Sequence, residues 1–303
     1  RPALRLATIR ALMSASRRQQ AVRIVACFAI LYLVWGSTYV VNKFGLHHLP
    51  PLLLGGARFT SAGLIMVVLA LARGARLART SGEWRDVLVM GLIGVAFSNS
   101  INLAALQYVA ANQSALINAS AAFWIAAFGT LGPKGNPLTL RARLGLALGF
   151  AGVALILWPK GEFTAAAHWA QLAILFGCFS WALCTIYYRH IETHLATFMF
   201  VGLQMFTGGA AMLLAGFIAG DAARWSWEPS GLIALGYLSL FGSCLGYGAF
   251  AYLARNTTPA RLGTYSYVNP AVACLLAWLF LGETISGLQL AGMAVILLGV
   301  MLV

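Results

Sequence analysis

Residues 33–43 read LVWGSTYVVNK, with a tryptophan near the middle of a long apolar run and a lysine at the end of that run. A second stretch further along the chain, SWALCTIYYR, follows the same plan. Trp35 corresponds to Trp181 and Lys43 to Arg189, both at a separation of 146 residues. Two such stretches at one separation indicate that the chain contains two copies of a single structural unit.

The composition excludes an ordinary water-soluble domain. Of the 303 residues, 61% are hydrophobic and 9% are charged, whereas about a quarter of the residues of a soluble domain are charged. The polar side chains are too few to cover a globule, so the chain is expected to fold in a lipid bilayer. The five cysteines lack metal or disulfide spacing, and the pair His47–His48 has no carboxylate or thiol beside it. The sequence therefore predicts no metal site and no cofactor.

Ten apolar runs follow a basic tail at residues 1–21. Each run is near the roughly 20 residues that a helix needs to cross a bilayer. We expect an all-α integral membrane protein of ten transmembrane helices, with the tail partly disordered. The runs lie at about 22–46, 52–73, 86–108, 112–131, 141–158, 168–189, 196–220, 230–253, 259–281 and 285–303.

The distribution of cations predicts the orientation of these helices. Sixteen of the twenty Lys and Arg residues lie in the stretch from the N-terminus through Arg23 or around the connectors after even-numbered runs. The alternate side holds Lys43, Arg58, Lys160 and Arg224. Because Lys and Arg accumulate in cytoplasmic loops, both termini are expected in the cytoplasm. This topological role accounts for the net charge of +13, so no nucleic-acid partner is needed.

The repeat extends beyond the first helix of each copy. Gly145 and Gly152 in the fifth run match Gly292 and Gly299 in the tenth, at a separation of 147 residues. Since each copy contains an odd number of spans, the second copy enters the membrane from the opposite side. The sequence therefore predicts two five-helix repeats of inverted topology, which are typical of secondary transporters.

Several motifs carry a resemblance to a known family. They are WGST at residues 35–38, ALINASA at 115–121, YVNP at 267–270 and LGE at 281–283. With these motifs the chain resembles the EamA family of the drug/metabolite transporter superfamily, in two modules at 22–158 and 168–303. The resemblance implies ten spans in five-helix inverted repeats and export of small metabolites across the bacterial inner membrane. Within the family the chain is similar to the branch of YddG-like amino-acid exporters.

One departure distinguishes the two modules. The first has Ala122 where the second has Pro270, and GPK at residues 132–134 where the second has GET at 282–284. We therefore expect the fourth helix of the first module to lack the bend that a proline introduces and the acidic end of its counterpart.

Polar side chains within apolar runs mark helix interfaces or substrate pathways, because hydrocarbon offers them no hydrogen-bond partner. Asn99 and Asn102 are three residues apart and share one helix face. Amides and hydroxyls walled by Trp35 and Trp181 would suit a neutral or zwitterionic small molecule. The alternatives are that the amides join helices and that the tryptophans pack against neighbours. The predicted substrate-binding residues are Trp35, Thr38, Asn99, Asn102, Asn118, Trp124, Trp181, Thr185, Tyr265, Ser266 and Asn269.

A proline and three charged residues have further candidate roles. Pro270 is either a hinge or a plain structural kink. Lys43 and Arg58 are expected to extend toward the external surface rather than bind substrate. Glu283 is expected to cap a helix or to pair with one of them. No Asp or Glu lies in the middle of a run, which argues against a proton relay built on a carboxylate.

These features favour a secondary transporter that exports small metabolites, with amino acids as the expected substrates, by alternating access around a central polar cavity. A multidrug or nucleotide-sugar carrier is the alternative within the same superfamily. A membrane-embedded enzyme is disfavoured, because the sequence contains no GxSxG motif, no HExxH motif and no carboxylate in the middle of an apolar run. The expected partners are a small-molecule substrate and the lipid bilayer. The oligomeric state is left open, with a monomer as one possibility.

Overall fold

The structure, a computed structural model, describes residues 18–129, 139–157, 165–257 and 259–302. The regular elements in these residues are helices. The predicted connectors at 132–137 and 159–162 and most of the basic tail lie outside the described residues; residues 18–21 belong to the first helix. The helices are α1 (Arg18–Leu46), α2 (Pro51–Ala72), α3 (Ser81–Ala105), α4 (Ala111–Asn118), α5 (Ala121–Phe128), α6 (Leu140–Leu157), α7 (Ala165–His190), α8 (Thr197–Ile218), α9 (Pro229–Asn256), α10 (Pro259–Gly263), α11 (Tyr265–Leu281) and α12 (Gly287–Met301).

Each of these helices overlaps one of the ten predicted runs, but several extend beyond it: α1 begins at Arg18 and α3 at Ser81, four and five residues before the predicted starts. Seven helical stretches in the described part are long and apolar enough to cross a membrane. Helices α6 and α12 contain shorter apolar stretches, and the fourth run forms the two short helices α4 and α5. Many large apolar side chains point away from the protein, for example Leu64, Val68 and Phe217. An apolar outer surface of this kind suits a multi-pass protein surrounded by lipid.

Helices α2 and α8 pack against each other in antiparallel directions. A methyl group added to Gly56 would lie 2.7 Å from the backbone nitrogen of Leu213, and one on Gly202 would lie 2.9 Å from that of Val67. The two contacts are equivalent, because Gly202 is the counterpart of Gly56 and Leu213 is the counterpart of Val67, each at a separation of 146 residues. The glycines let the two backbones approach closely, as is common in membrane helix pairs.

Helices α6 and α12 form a second pair of the same kind. A methyl group on Gly152 would lie 2.7 Å from the carbonyl oxygen of Gly292, and one on Gly299 would lie 2.6 Å from that of Gly145. These two contacts are again related by exchange of the halves, at the separation of 147 residues seen in the sequence. Equivalent helices of the two halves therefore face each other across a common axis.

Two helices share an unusual feature at equivalent positions of the two halves. Residues Met90–Phe97 of α3 and Leu238–Leu245 of α9 both form π-helical turns. Such wide turns interrupt the regular backbone hydrogen bonding of a helix and are frequent at functional sites. Both segments lie beside the central cavity described below.

The fourth helix of the first module lacks the proline of its counterpart, yet it is not continuous. It is broken between α4 and α5. Ser120 donates its backbone N–H to the carbonyl oxygen of Ile117, and Phe123 donates to that of Ser120, so the break is a tight turn of the 3₁₀ type. In the second module the chain turns at Thr264, and Pro270 lies inside α11.

Candidate functional site

A cavity of about 140 Å³ lies at the centre of the molecule, between the two halves. Helices α1, α2, α3, α4, α7, α9 and α11 contribute side chains to it, and the first residue of α5 does too. Eight of the eleven predicted substrate-binding residues line this cavity: Trp35, Thr38, Asn99, Asn102, Asn118, Trp181, Tyr265 and Asn269.

One end of the cavity is aromatic. The ring of Trp35 lies 5.9 Å from that of Trp181, 5.4 Å from that of Tyr247 and 5.4 Å from that of Tyr265, measured between centroids. It also stacks on Phe250 at 5.4 Å. We call these five residues the aromatic layer. Edge-to-face packing of this kind fixes the rings relative to each other.

Two hydrogen bonds fix the aromatic layer to the surrounding helices. Trp35 Nε1 donates to the carbonyl oxygen of Gly242 at 3.0 Å, and Trp181 Nε1 donates to the hydroxyl of Tyr265 at 3.0 Å. The wide turn of α9 therefore supplies the acceptor for Trp35. Both indole N–H groups are satisfied within the protein, so the tryptophans offer their ring surfaces to a ligand.

The asparagines of α3 and α4 form a connected polar wall. Asn118 Nδ2 donates to Asn102 Oδ1 at 3.0 Å, and Asn102 Nδ2 donates to the carbonyl oxygen of Ser98 at 2.9 Å. Asn99 Nδ2 donates to the carbonyl oxygen of Val95 at 2.9 Å and lies 3.3 Å from the Tyr247 hydroxyl. These amides therefore join α3 to α4 and to α9, which is the helix-joining alternative, and they also line the cavity.

Arg58 lies in the cavity wall, and the expectation that it extends to the external surface is wrong. Its side chain is buried, with 5% of the residue exposed, and the guanidinium lies 4.6 Å from the centroid of the Phe59 ring. Its Nε donates to the Ser243 hydroxyl at 2.8 Å and its Nη1 to Asn42 Oδ1 at 3.5 Å. The cavity therefore contains a cation among its neutral polar groups.

Three predicted residues lie outside the cavity lining. Trp124 packs with Phe128, Phe150 and Phe179 instead. The Thr185 hydroxyl donates to the carbonyl oxygen of Trp181 one helical turn before it, at 2.9 Å. Ser266 is buried beside the lining residue Tyr265. Helical spacing placed Thr185 on the face of Trp181 but could not show that its hydroxyl bonds to its own helix, and it could not show which neighbouring helix the ring of Trp124 meets.

Sequence reasoning missed six lining residues. Tyr39 and Asn42 follow Trp35 at intervals of four and seven residues, which is the spacing of one helix face, so periodicity alone could have found them. Tyr247 is the counterpart of Asn99 in the other copy, and this equivalence was available as a signal. The six are Tyr39, Asn42, Arg58, Ser98, Ala121 and Tyr247.

Lys43 and Glu283 stabilise helix ends instead of pairing with each other. Lys43 Nζ donates to the carbonyl oxygens of Leu106 and Val109, both at 2.7 Å, so Lys43 neither reaches for the surface nor lines the cavity. The Glu283 carboxylate accepts from the backbone N–H groups that begin α4, at 2.8 and 2.9 Å. Capping was one of the two roles expected for Glu283, and a carboxylate is favoured at a helix N-terminus.

Comparison with known proteins agrees with this architecture. The model of the EamA-like transporter family matches residues 23–158 and again residues 168–303. The chain is 35% identical to an uncharacterized inner membrane transporter, YedA, of Escherichia coli K12, over 92% of this chain and 89% of that one. It is 27% identical to a probable amino-acid metabolite efflux pump of Salmonella typhimurium, over 89% of this chain and 91% of that one. A protein of known crystal structure superposes with a TM-score of 0.66 at 21% identity, covering 92% of this chain and 95% of the other.

A duplicated all-helical unit with an apolar exterior and a polar cavity between its halves defines a membrane transporter. The chain belongs to the EamA-like transporter family. The family consists of transporters, so this protein is a transporter and not an enzyme.

Proposed function

We propose that this protein is a secondary transporter that exports small metabolites, with amino acids as the substrate class, by alternating access. The observation that carries the proposal is the central cavity, which takes side chains from both halves. A cavity at the interface of two repeats can open to one side and then to the other when the halves rock against each other. The relatives named as amino-acid metabolite efflux pumps support this substrate class.

We also propose ten spans arranged as two inverted five-helix repeats, at residues 22–158 and 168–303, in the inner membrane with both termini in the cytoplasm. The antiparallel pairs α2–α8 and α6–α12 support this arrangement, because their glycine contacts recur when the two halves are exchanged. A two-fold axis in the membrane plane produces such contacts. The distribution of cations supports the orientation.

In this mechanism the lining residues bind substrate and Pro270 acts as a hinge. The aromatic layer forms one end of the cavity, near the middle of α1, and Asn42 lies seven residues further along the same helix. The expected cytoplasmic position of the N-terminus places the aromatic layer on the cytoplasmic side. Pro270 cannot donate a backbone hydrogen bond within α11, so α11 is weakened where it lines the cavity beside Asn269.

Reconstituted protein tests the proposal. Liposomes containing the protein should take up one or more members of a panel of labelled amino acids, measured with and without a proton gradient. The triple variant Asn102→Ala, Asn118→Ala, Trp181→Ala should lose this uptake, whereas Asn256→Ala, which changes an exposed amide at the end of α9, should retain it. Unchanged uptake by the triple variant, at normal abundance in the liposomes, would contradict the proposed substrate site.

The alternative of a nucleotide-sugar carrier receives less support from the cavity. A diphosphate carries two or more negative charges, whereas Arg58 is the single cation among the described lining residues. This charge suits one carboxylate better.

A further inference from the structure

We propose that Arg58 is an anion-binding residue that holds the carboxylate of the transported molecule. The proposal deepens the proposed function, on which it rests for the identity of the molecule that enters the cavity. It assigns the substrate to carboxylate-bearing compounds and fixes which end of the substrate faces which wall.

The first observation is the absence of a protein counter-ion. Among the described residues, the carboxylates that form ion pairs within 4.0 Å are Glu83, Asp86 and Asp221, and their partners are other arginines. None of the described Asp and Glu residues lines the cavity. Burying a cation without an anion is unfavourable, and an incoming carboxylate would recover part of that cost.

The second observation is the capacity of the guanidinium for further hydrogen bonds. Of its five N–H donors, Nε is used by Ser243 and one on Nη1 by Asn42, the latter through a long contact of 3.5 Å. The remaining donors belong to the two terminal nitrogens, which form the fork that matches a carboxylate. Gly242 lets the guanidinium lie close against α9, since a methyl group there would come within 3.0 Å of Nη2.

The third observation is that the charge comes from one half, since the described lining residues of the other half include no Lys or Arg. The residue equivalent to Arg58 is Gln204 on α8, which is buried with its Oε1 unpartnered. The positions equivalent to Asn42 and Ser243 hold Tyr188 and Val95. Arg58 therefore has an uncharged counterpart, so the positive charge of the cavity lies on the side of α2 although the two halves are copies of one unit.

This polarity orients the substrate. Asn42, which contacts Arg58, lies seven residues after Trp35 on α1, a rise of about 10 Å. A small molecule with its carboxylate on Arg58 would place its apolar or cationic remainder against the aromatic layer, where ring faces accept both. An α-amino acid meets these requirements.

Binding of three molecules of nearly equal shape tests the proposal without requiring transport. Isothermal titration calorimetry of the purified protein in detergent would use L-leucine, L-leucinamide and 4-methylpentanoate. Leucinamide lacks the carboxylate, and 4-methylpentanoate lacks the ammonium group. Leucine and 4-methylpentanoate should each bind about 30-fold more tightly than leucinamide, the ratio expected for loss of one buried charge-assisted pair.

Two variants and a control complete the test. Arg58→Gln introduces the residue found at the equivalent position of α8 and should abolish the preference for a carboxylate. Arg58→Lys should retain part of it, because the charge remains but the fork is lost. Ser61→Ala removes a hydrogen bond between α2 and α9, to Ser239 at 3.0 Å, without altering the cavity charge, and should bind like the parent.

The outcomes separate this proposal from the proposed function. Equal binding of leucine and leucinamide, a carboxylate preference that survives Arg58→Gln, or binding of none of the three by the folded protein would overturn the anion site. Uptake of labelled amino acids could persist in each case. Carboxylate binding that depends on Arg58, with no amino acid transported, would instead leave the anion site intact and overturn amino-acid export.

Discussion

Lys43 and Arg189, which occupy equivalent positions in the two copies, close the same helix end in the two halves. Lys43 Nζ donates to two carbonyl oxygens at the C-terminal end of α3, and Arg189 Nη1 donates to two at the end of α9. The acceptors are Leu106 and Val109 in the first half and Ala254 and Thr257 in the second. These acceptors are themselves equivalent in the two copies, so the whole interaction is repeated. A cation is favoured there because the helix dipole is negative at its C-terminus.

Replacing Lys43 by methionine should destabilise the protein by about 1–2 kcal/mol, because two carbonyl oxygens lose a charged donor. Thermal unfolding in detergent would detect the change as a lower melting temperature. Arg79→Met, which removes an exposed cation, is the control and should have little effect. An unchanged melting temperature for Lys43→Met would mean that water replaces the ammonium group without loss.

Replacing Gly63 by alanine should destabilise the protein by about 2 kcal/mol through overpacking between α2 and α8. The added methyl group would lie 2.7 Å from the carbonyl oxygen of Gly202, and backbone atoms cannot easily move away. Gly236→Ala is the matched control, since its methyl group would meet no atom within 4 Å. That variant should be neutral or slightly more stable, because alanine favours the helix. Comparable unfolding temperatures for the two variants would contradict the close contact.

Trp181→Phe should lower the rate of amino-acid uptake about tenfold, because the ring stays in the cavity but its hydrogen bond to Tyr265 is lost. Trp124→Phe is the matched control among the tryptophans predicted to bind substrate. Trp124 lies outside the cavity lining, and its Nε1 is buried without a partner. Uptake by Trp124→Phe should stay within about twofold of the parent. The reverse order of the two rates would move the substrate site to the Trp124 cluster.

Single cysteines at two exposed positions test the orientation. Arg79 lies in the connector between α2 and α3, and Trp227, 76% exposed, lies between α8 and α9. In intact spheroplasts a membrane-impermeant maleimide should label Trp227→Cys and spare Arg79→Cys, while lysed cells should label both. The parent protein measures the background from the native cysteines. Labelling of Arg79→Cys before lysis would place the termini outside.

Several features of the site could be predicted from the sequence because they follow from local spacing. The apolar runs, the nearly constant separation between the two copies and the shared face of Asn99 and Asn102 depend on helical periodicity and on the duplication. The same reasoning could not choose between Trp124 and Trp181. Both lie in apolar helices, and the difference arises from which neighbouring helix each ring meets.

By itself the sequence determined that this is an all-helical, duplicated membrane protein with neutral polar groups and tryptophans within its spans. These properties follow from composition and periodicity, since a bilayer admits helices whose backbone groups are satisfied internally. Only the tertiary structure showed where the charged side chains of Lys43 and Arg58 lie and which groups they contact. Lys43 precedes and Arg58 follows the same short connector, yet one caps α3 and the other lines the cavity. The shorter hydrogen bond of Arg58 is to Ser243, 185 residues away in the sequence, and a contact over that separation is set by helix packing and not by local pattern.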